Sequence, residues 1–137
     1  MAPGESVVHF EIDDAIDVMT ARRGGMEAAQ TIGFSQADAT KIAVVISELG
    51  RNIVNYAGNG AITVVAHESM HGHTCIKIIA EDEGPGIANL DSALAGGQST
   101  SGGLGLGLSG SRRMMDEFEI ETAVGEGTVI RAVKWLN

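Results

Sequence analysis

Basic residues are scarce in this sequence, cysteine occurs once, and no apolar run is long enough to cross a membrane. The 9 lysines and arginines against 18 aspartates and glutamates leave a formal net charge of −9. This balance argues against binding to nucleic acid or to an anionic membrane surface, because neutralising phosphates requires clustered cations. A single nucleotide stays compatible with it, provided that backbone dipoles and a divalent cation offset the overall charge.

The cysteine count and the N-terminal sequence indicate the compartment, and the length and hydrophobic content indicate the number of domains. Cys75 cannot form an internal disulfide, which is typical of a reducing compartment, and the first residues lack the basic and then apolar regions of a signal peptide. We therefore expect a cytoplasmic protein. The chain has 137 residues, of which 44% are hydrophobic, and this predicts a single domain over residues 1–137.

Strands and helices alternate along the chain without a linker. Apolar residues at helical spacing predict three helices, at about residues 13–32, 35–56 and 104–115. Runs rich in Ile, Val and Thr predict five strands, at residues 7–12, 61–66, 74–81, 118–124 and 128–135. The stretch Asp82–Ser101 has no periodicity and is too long for an ordinary connection, so we expect a functional loop or lid there.

Glycine is abundant, and nine of the 19 glycines fall between Gly84 and Gly110. The segment Ser101–Gly110 reads SGGLGLGLSG. It lacks the lysine that a P-loop requires. Its glycine spacing and the polar loop before it do not suit a dinucleotide-binding loop, which follows a parallel strand. Glycine lets backbone N–H groups approach an anion closely, and a helix N-terminus favours negative charge. We therefore interpret this segment as a phosphate cradle, assisted by the hydroxyls of Ser99, Thr100 or Ser101.

Glu48 and Asn52 lie four residues apart on the second predicted helix and so project from the same face. A carboxylate beside a carboxamide oxygen can hold one hard cation and its water, because Mg²⁺ prefers oxygen ligands and keeps several waters beside substrate phosphates. The alternative is a solvated pair on an exposed helix face, which is the commoner outcome for two such residues taken alone.

Asp82 ends a predicted buried strand, and Gly84-Pro85-Gly86 then turns the chain sharply away. The carboxylate is therefore directed out of the sheet edge, where it can accept a hydrogen bond from an exocyclic amino group such as that of adenine. Glycines at positions 84 and 86 would let a flat ring approach. An aspartate that merely closes a turn is an equally frequent alternative.

The segment His67-Glu68-Ser69-Met70-His71 matches the zinc-protease pattern H-E-x-x-H. That motif requires a helix that places both histidines on one face, whereas this segment follows one predicted strand and precedes another. We interpret it as the surface connection of a hairpin.

Four elements, taken in order, resemble the motifs of the GHKL family of ATPases and kinases. They are Glu48-x-x-x-Asn52, Asp82-x-Gly84-x-Gly86, Gly103-x-Gly105-x-Gly107 and Gly125-Glu126-Gly127-Thr128. The likeness covers nearly the whole chain, whose small size is similar to that of the bacterial anti-sigma and switch serine kinases. It implies a two-layer α/β sandwich of the GHKL (Bergerat) ATP-binding type. Such a fold has a mixed, mostly antiparallel sheet with helices on one face, and here an ATP lid at about residues 87–102.

The resemblance also implies roles for individual residues. Glu48 would act as the catalytic base that polarises the attacking hydroxyl, and Asn52 would coordinate Mg²⁺. Asp82, supported by Thr128, would accept a hydrogen bond from the adenine amino group of ATP. The other nucleotide-binding positions implied are Gly84, Gly86, Ile87, Ser101, Gly102, Gly103, Leu104, Gly105, Leu106, Gly107 and Leu108.

In function, the resemblance implies an ATP-dependent protein serine/threonine kinase. Kinases of this type phosphorylate STAS-domain proteins of the stressosome, which serve as substrates and scaffold, and once released they bind and activate a PP2C-type phosphatase. Two alternatives stay open: an anti-sigma factor kinase, and a nucleotide-dependent module that regulates a partner by docking without catalysis. Glu48 favours catalysis, because nucleotide binding alone requires no base.

Overall fold

The computed structural model describes residues 4–69, 73–87 and 108–136, which form a five-stranded sheet with helices packed against it. In chain order the strands are β1 (Glu5–Ile12), β2 (Gly60–His67), β3 (Cys75–Asp82), β4 (Glu117–Ala123) and β5 (Gly127–Trp135). Their order across the sheet is β1-β2-β3-β5-β4, and the four described pairings are all antiparallel.

The helices are α1 (Ala15–Thr31), α2 (Gln36–Asn52) and α3 (Leu108–Met114). Both long helices begin at a side-chain cap. The Asp14 side chain accepts from the Asp17 N–H in a reciprocal capping box, and the Ser35 side chain accepts from the Asp38 N–H. These contacts satisfy N–H groups that the first helical turn leaves unpaired, which explains why the helices begin there.

The core lies between the helices and one face of the sheet. Alternate residues of β2 and β3 are buried and most of those between them are only partly buried, so helices cover one face only. The apolar stripe of α2 packs into this core, where Ile42, Val45, Ile46 and Leu49 are each at most 1% exposed. The two-layer α/β arrangement with helices on one face is thus confirmed.

Two details differ from the sequence-based expectation. The expected sheet is mixed, which requires at least one pair of neighbouring parallel strands. In the described sheet, β3 and β4 run in the same direction, but β5 lies between them and pairs antiparallel with both. The second helix, predicted to last to about Tyr56, ends as an α-helix at Asn52 and continues as a π-helical turn over Ile53–Ala57. Residues 104–107, where the third helix is predicted to begin, lie outside the described residues.

None of the helices in the described part of the chain combines the length and the apolar character needed to cross a bilayer.

Gly127 lies where two strands approach closely, and alanine at this position is expected to destabilise the fold by about 2 kcal/mol or more. Its φ of +85° disfavours any side chain, and a Cβ atom would lie 2.2 Å from the Asp82 carbonyl oxygen. Gly125 is a matched control, since its φ of +82° is similar but a Cβ atom would meet nothing within 4 Å. Urea unfolding should show a clearly smaller loss of stability for Gly125→Ala. Equal losses would mean that the close approach contributes nothing.

Candidate nucleotide-binding site

A cavity opens between α2 with its π-helical turn, the end of β3, β5 and the first residue of α3. Six of the predicted site residues line this cavity: Asn52, Asp82, Gly86, Ile87, Leu108 and Thr128. Seven further lining residues were not predicted from the sequence: Leu49, Ile53, Tyr56, Ala57, Ala80, Pro85 and Ile130. The missed residues belong mostly to apolar helix and strand faces, where the sequence signal of a cavity wall is the same as that of a core residue. The result is an apolar wall with a few polar side chains, which suits a flat heterocyclic ring.

Asp82 is the last residue of β3 and is half-buried at this wall. One of its carboxylate oxygens, Oδ1, accepts a hydrogen bond from the Gly84 N–H at 2.9 Å. Burial raises the pKa of the Asp82 carboxyl above its ordinary value, while backbone hydrogen bonds from Gly84 and Thr128 partly lower it. The Asp82 carboxylate is therefore an oriented hydrogen-bond acceptor beside an apolar cavity, and this arrangement suits recognition of an amino group on a ligand.

The turn after Asp82 is attached to the β4–β5 hairpin. The Gly125 N–H donates to the Pro85 carbonyl oxygen at 2.8 Å, and the Ile87 N–H donates to the Thr122 hydroxyl at 2.9 Å. Gly86 has a φ of +77°, and a Cβ atom on it would lie 2.2 Å from the Ala123 carbonyl oxygen. Only glycine fits between the turn and the hairpin, so Gly86 keeps the cavity wall close to β4.

Thr128 lies beside Asp82, and its hydroxyl is 2.9 Å from the hydroxyl of Thr122. Sequence reasoning did not find Thr122. A turn confined to residues 125–127 would place Val124 opposite Thr128, whereas the observed register pairs Thr122 with Thr128 and Ala123 with Gly127. The sequence signal for this register is the alternation of side chains along β4. That alternation fits both pairings, because Thr122 and Val124 lie on the same face of the strand.

Asn52 reaches the cavity as the last residue of α2, where the chain changes from α-helical to π-helical, a change often found at functional sites. Glu48 lies one turn earlier, is half-buried and does not line the cavity. The guanidinium of Arg51 donates a hydrogen bond to the Glu48 carboxylate. The structure thus brings Asn52 and Asp82 to one cavity and leaves Glu48 a turn away in an ion pair.

The chemistry of the donors fits a magnesium ion that arrives with a nucleotide. The described residues contain no group of three or more His, Cys, Asp or Glu side chains able to hold a metal. Asn52 lines the cavity and carries a carboxamide oxygen, a ligand type that suits a hard cation. Mg²⁺ is commonly held by few protein oxygens together with waters and substrate phosphates, so a single such ligand is compatible with it.

The predicted phosphate cradle falls largely outside the described residues, since these do not include 88–107. Ser101, Gly102, Gly103, Leu104, Gly105, Leu106 and Gly107 belong to that range, as does most of the predicted lid. Leu108 is described: it begins α3, is 1% exposed and lines the cavity. The last leucine of the glycine-rich segment is therefore part of both the core and the cavity wall.

The H-E-x-x-H pattern is not on a helix where the structure describes it. His67 is the last residue of β2, and Glu68 and Ser69 follow it without helical structure. Met70 and His71 lie outside the described residues. A strand end does not present two histidines four residues apart on one helix face, so the geometry of this metalloprotease motif is absent from His67–Ser69.

Similarity to known proteins identifies the family of the chain. Residues 10–134 match the family described as Histidine kinase-like ATPase domain. The chain is 48% identical over 123 residues to the serine/threonine-protein kinase RsbT of Bacillus subtilis (strain 168), a match that covers 88% of this chain and 90% of that protein.

More distant similarity extends to anti-sigma factors. The chain is 31% identical over 105 residues to the anti-sigma F factor of Priestia megaterium and 34% identical over 109 residues to that of Bacillus cytotoxicus. Each match covers 73% of this chain and 71% of the relative. The chain therefore belongs to the family of histidine kinase-like ATPase domains and is a homologue of a serine/threonine-protein kinase.

Proposed function

We propose that this kinase binds ATP in the cavity described above and transfers its γ-phosphoryl group to a serine or threonine of a STAS-domain partner. The observation that carries the proposal is one apolar cavity lined by both Asp82, whose carboxylate can accept a hydrogen bond from an amino group, and Asn52, whose carboxamide oxygen can bind a hard cation. In this arrangement the base lies against Asp82 and Thr128, and the phosphates extend toward Asn52 and the start of α3. The compartment that we propose is the cytoplasm.

Phosphoryl transfer of this kind depends mostly on positioning and on charge neutralisation. When bound beside Asn52, Mg²⁺ would neutralise charge on the phosphates and on the leaving group. Glu48 takes the proton of the attacking hydroxyl as the new O–P bond forms and the bond to the β-phosphate oxygen breaks, leaving ADP. The Arg51 guanidinium, which holds the Glu48 carboxylate, would have to share or release it for this step.

The anti-sigma similarity supports a second candidate, a kinase that binds a sigma factor and phosphorylates its antagonist. We prefer the switch kinase, because the match to the kinase RsbT is 48% identical over 88% of the chain, against 31% over 73% for an anti-sigma factor. A switch kinase would also dock on a PP2C-type phosphatase and activate it. A nucleotide-dependent docking module without catalysis is the third candidate.

Labelled ATP distinguishes these candidates. The purified protein is incubated with γ-labelled ATP, Mg²⁺ and a STAS-domain protein encoded beside it, and the modified residue is mapped by mass spectrometry. We expect label on a serine or threonine of the STAS protein, and much less label from Asp82→Asn when the ATP concentration is near the wild-type Kd. Label on no partner, together with nucleotide-dependent binding, would instead support the docking module. A stable complex with a sigma factor would support the anti-sigma candidate.

A further inference from the structure

Thr122 occupies a central place in the hydrogen bonds behind the cavity, although it does not line the cavity itself. Its hydroxyl accepts from the Ile87 N–H at 2.9 Å, donates to the Gly127 carbonyl oxygen at 3.1 Å and lies 2.9 Å from the Thr128 hydroxyl. We propose that Thr122 is a positioning residue of the nucleotide site that orients Thr128 and holds Ile87, and so sets the preference for an amino-bearing base. This inference rests on the proposed placement of the adenine beside Asp82.

The hydroxyl of Thr122 is fully used by these contacts. A threonine hydroxyl has one proton to donate and two lone pairs that accept. For all three hydrogen bonds to exist together, the proton goes to the carbonyl oxygen of Gly127, which can only accept. One lone pair takes the Ile87 N–H, and the other takes a proton that only Thr128 can supply. Thr122 therefore acts on a ligand through Thr128 and Ile87.

The direction of the Thr128 proton has a consequence for the cavity. Because that proton points to Thr122, the Thr128 hydroxyl presents lone pairs to its other neighbours, and Thr128 lines the cavity beside Asp82. The cavity wall then offers two acceptors side by side. A ligand that carries an amino group satisfies both directly or through a water, whereas a ring carbonyl at the same place would face two acceptors.

Ile87 gives the second route. Its N–H is tied to Thr122, and its side chain packs against the hydrophobic core and lines the cavity. The hydrogen bond from the Gly125 N–H to the Pro85 carbonyl oxygen holds the other end of the same turn. Loss of the Thr122 hydroxyl would leave the Ile87 N–H without this partner and loosen the turn on the side that contacts the ring.

The test compares Thr122→Val, which keeps the shape but loses the hydroxyl, with Thr122→Ser, which keeps the hydroxyl. Affinities for ATP and for inosine triphosphate, which has a carbonyl in place of the amino group, are measured by calorimetry. We expect Thr122→Val to weaken ATP binding about 5- to 30-fold and inosine triphosphate binding much less, so that selectivity falls. Thr122→Ser should restore both ATP affinity and selectivity to within about threefold of wild type.

Three results would overturn the inference: unchanged ATP affinity in Thr122→Val, equal losses for the two nucleotides, or no rescue by serine. Urea midpoints measured in parallel separate a folding defect from a binding defect, since a purely structural role would lower the midpoint without changing selectivity. Asp82→Asn in the same assay tests the site assignment itself. If Asp82→Asn does not weaken ATP binding, the proposed site is wrong, whereas a loss there with none in Thr122→Val refutes only the role of Thr122.

Discussion

Replacing Asp82 with asparagine is expected to weaken ATP binding about 10- to 100-fold. The wild-type carboxylate is an acceptor held at the cavity wall by the Gly84 N–H, 2.9 Å away. Asparagine keeps the size of the side chain and one acceptor oxygen for that N–H, but it turns an NH₂ group toward the place of the adenine amino group. Two donors then face each other, so the specific hydrogen bond is lost and a partly buried donor remains unpaired. Calorimetric titration with Mg-ATP measures the change.

The fold should survive this replacement. Burial raises the pKa of Asp82 in the folded protein, so the ionised form is disfavoured there relative to the unfolded chain. This unfavourable contribution is absent below the unfolded pKa, grows as pH rises through the interval up to the folded pKa, and is complete above the folded pKa. Removing the charge should therefore leave the urea midpoint at pH 7 equal to or above that of wild type. A lower midpoint would show that Asp82 stabilises the fold.

Nucleotide-induced stabilisation gives a second readout. A ligand that binds only the folded state raises the melting temperature, so Mg-ATP should shift wild type upward and leave Asp82→Asn nearly unshifted at the same concentration. Glu81→Gln is a matched control, because Glu81 is the exposed neighbour on β3 and does not line the cavity. An equal shift for wild type and Asp82→Asn would remove the adenine-reading role from this residue.

Replacing Glu48 with glutamine should lower phosphoryl transfer about a hundredfold or more while ATP affinity stays within about twofold of wild type. A general base contributes by removing the proton of the attacking hydroxyl, and glutamine cannot do so. Glu48 does not line the cavity, so its replacement should leave the nucleotide contacts in place. Single-turnover transfer of label from bound ATP to the STAS partner measures the rate, and calorimetry measures the affinity.

The ion pair with Arg51 sharpens this experiment. Because the guanidinium of Arg51 donates to the Glu48 carboxylate, Glu48→Gln also changes a helix ion pair in which Arg51 is exposed and Glu48 is half-buried. Urea unfolding of Glu48→Gln, measured in parallel, separates loss of the base from loss of stability. Glu27→Gln, an exposed change of the same kind on α1, should leave the rate unaltered. Unchanged transfer in Glu48→Gln would exclude Glu48 as the base.

Several elements follow from local sequence because their signals are local. The stripe Ile42, Val45, Ile46 and Leu49 has helical spacing, and all four side chains are buried in α2. Ser35 caps that helix because its hydroxyl can reach an N–H three residues on. Asp82 ends a buried strand before a glycine-rich turn, and the carboxylate indeed lies at the cavity wall. Each of these predictions depends on residues close together in the chain.

Other features depend on how distant segments meet. The pairing of Thr122 with Thr128 depends on the exact register of the β4–β5 hairpin, where a shift of two residues keeps the same face but changes the partner. Ile53, Tyr56 and Ala57 line the cavity because the chain is π-helical there, a change that periodicity does not reveal. Glu48 shares a helix face with Asn52, yet its carboxylate accepts a hydrogen bond from Arg51, and neither Glu48 nor Arg51 lines the cavity.

The sequence by itself determined the α/β class, the start of α2 after Ser35, the buried face of that helix and the place of Asp82 at the end of a buried strand. Those properties follow from spacing along one element and from the backbone preferences of single residues. Only the tertiary structure decided that β5 lies between β3 and β4, that Thr122 stands behind Thr128, and that Asn52 borders the cavity while Glu48 does not. The physical reason is that strand order, register and side-chain direction are set by packing between segments far apart in the chain, and these contacts have no local signature.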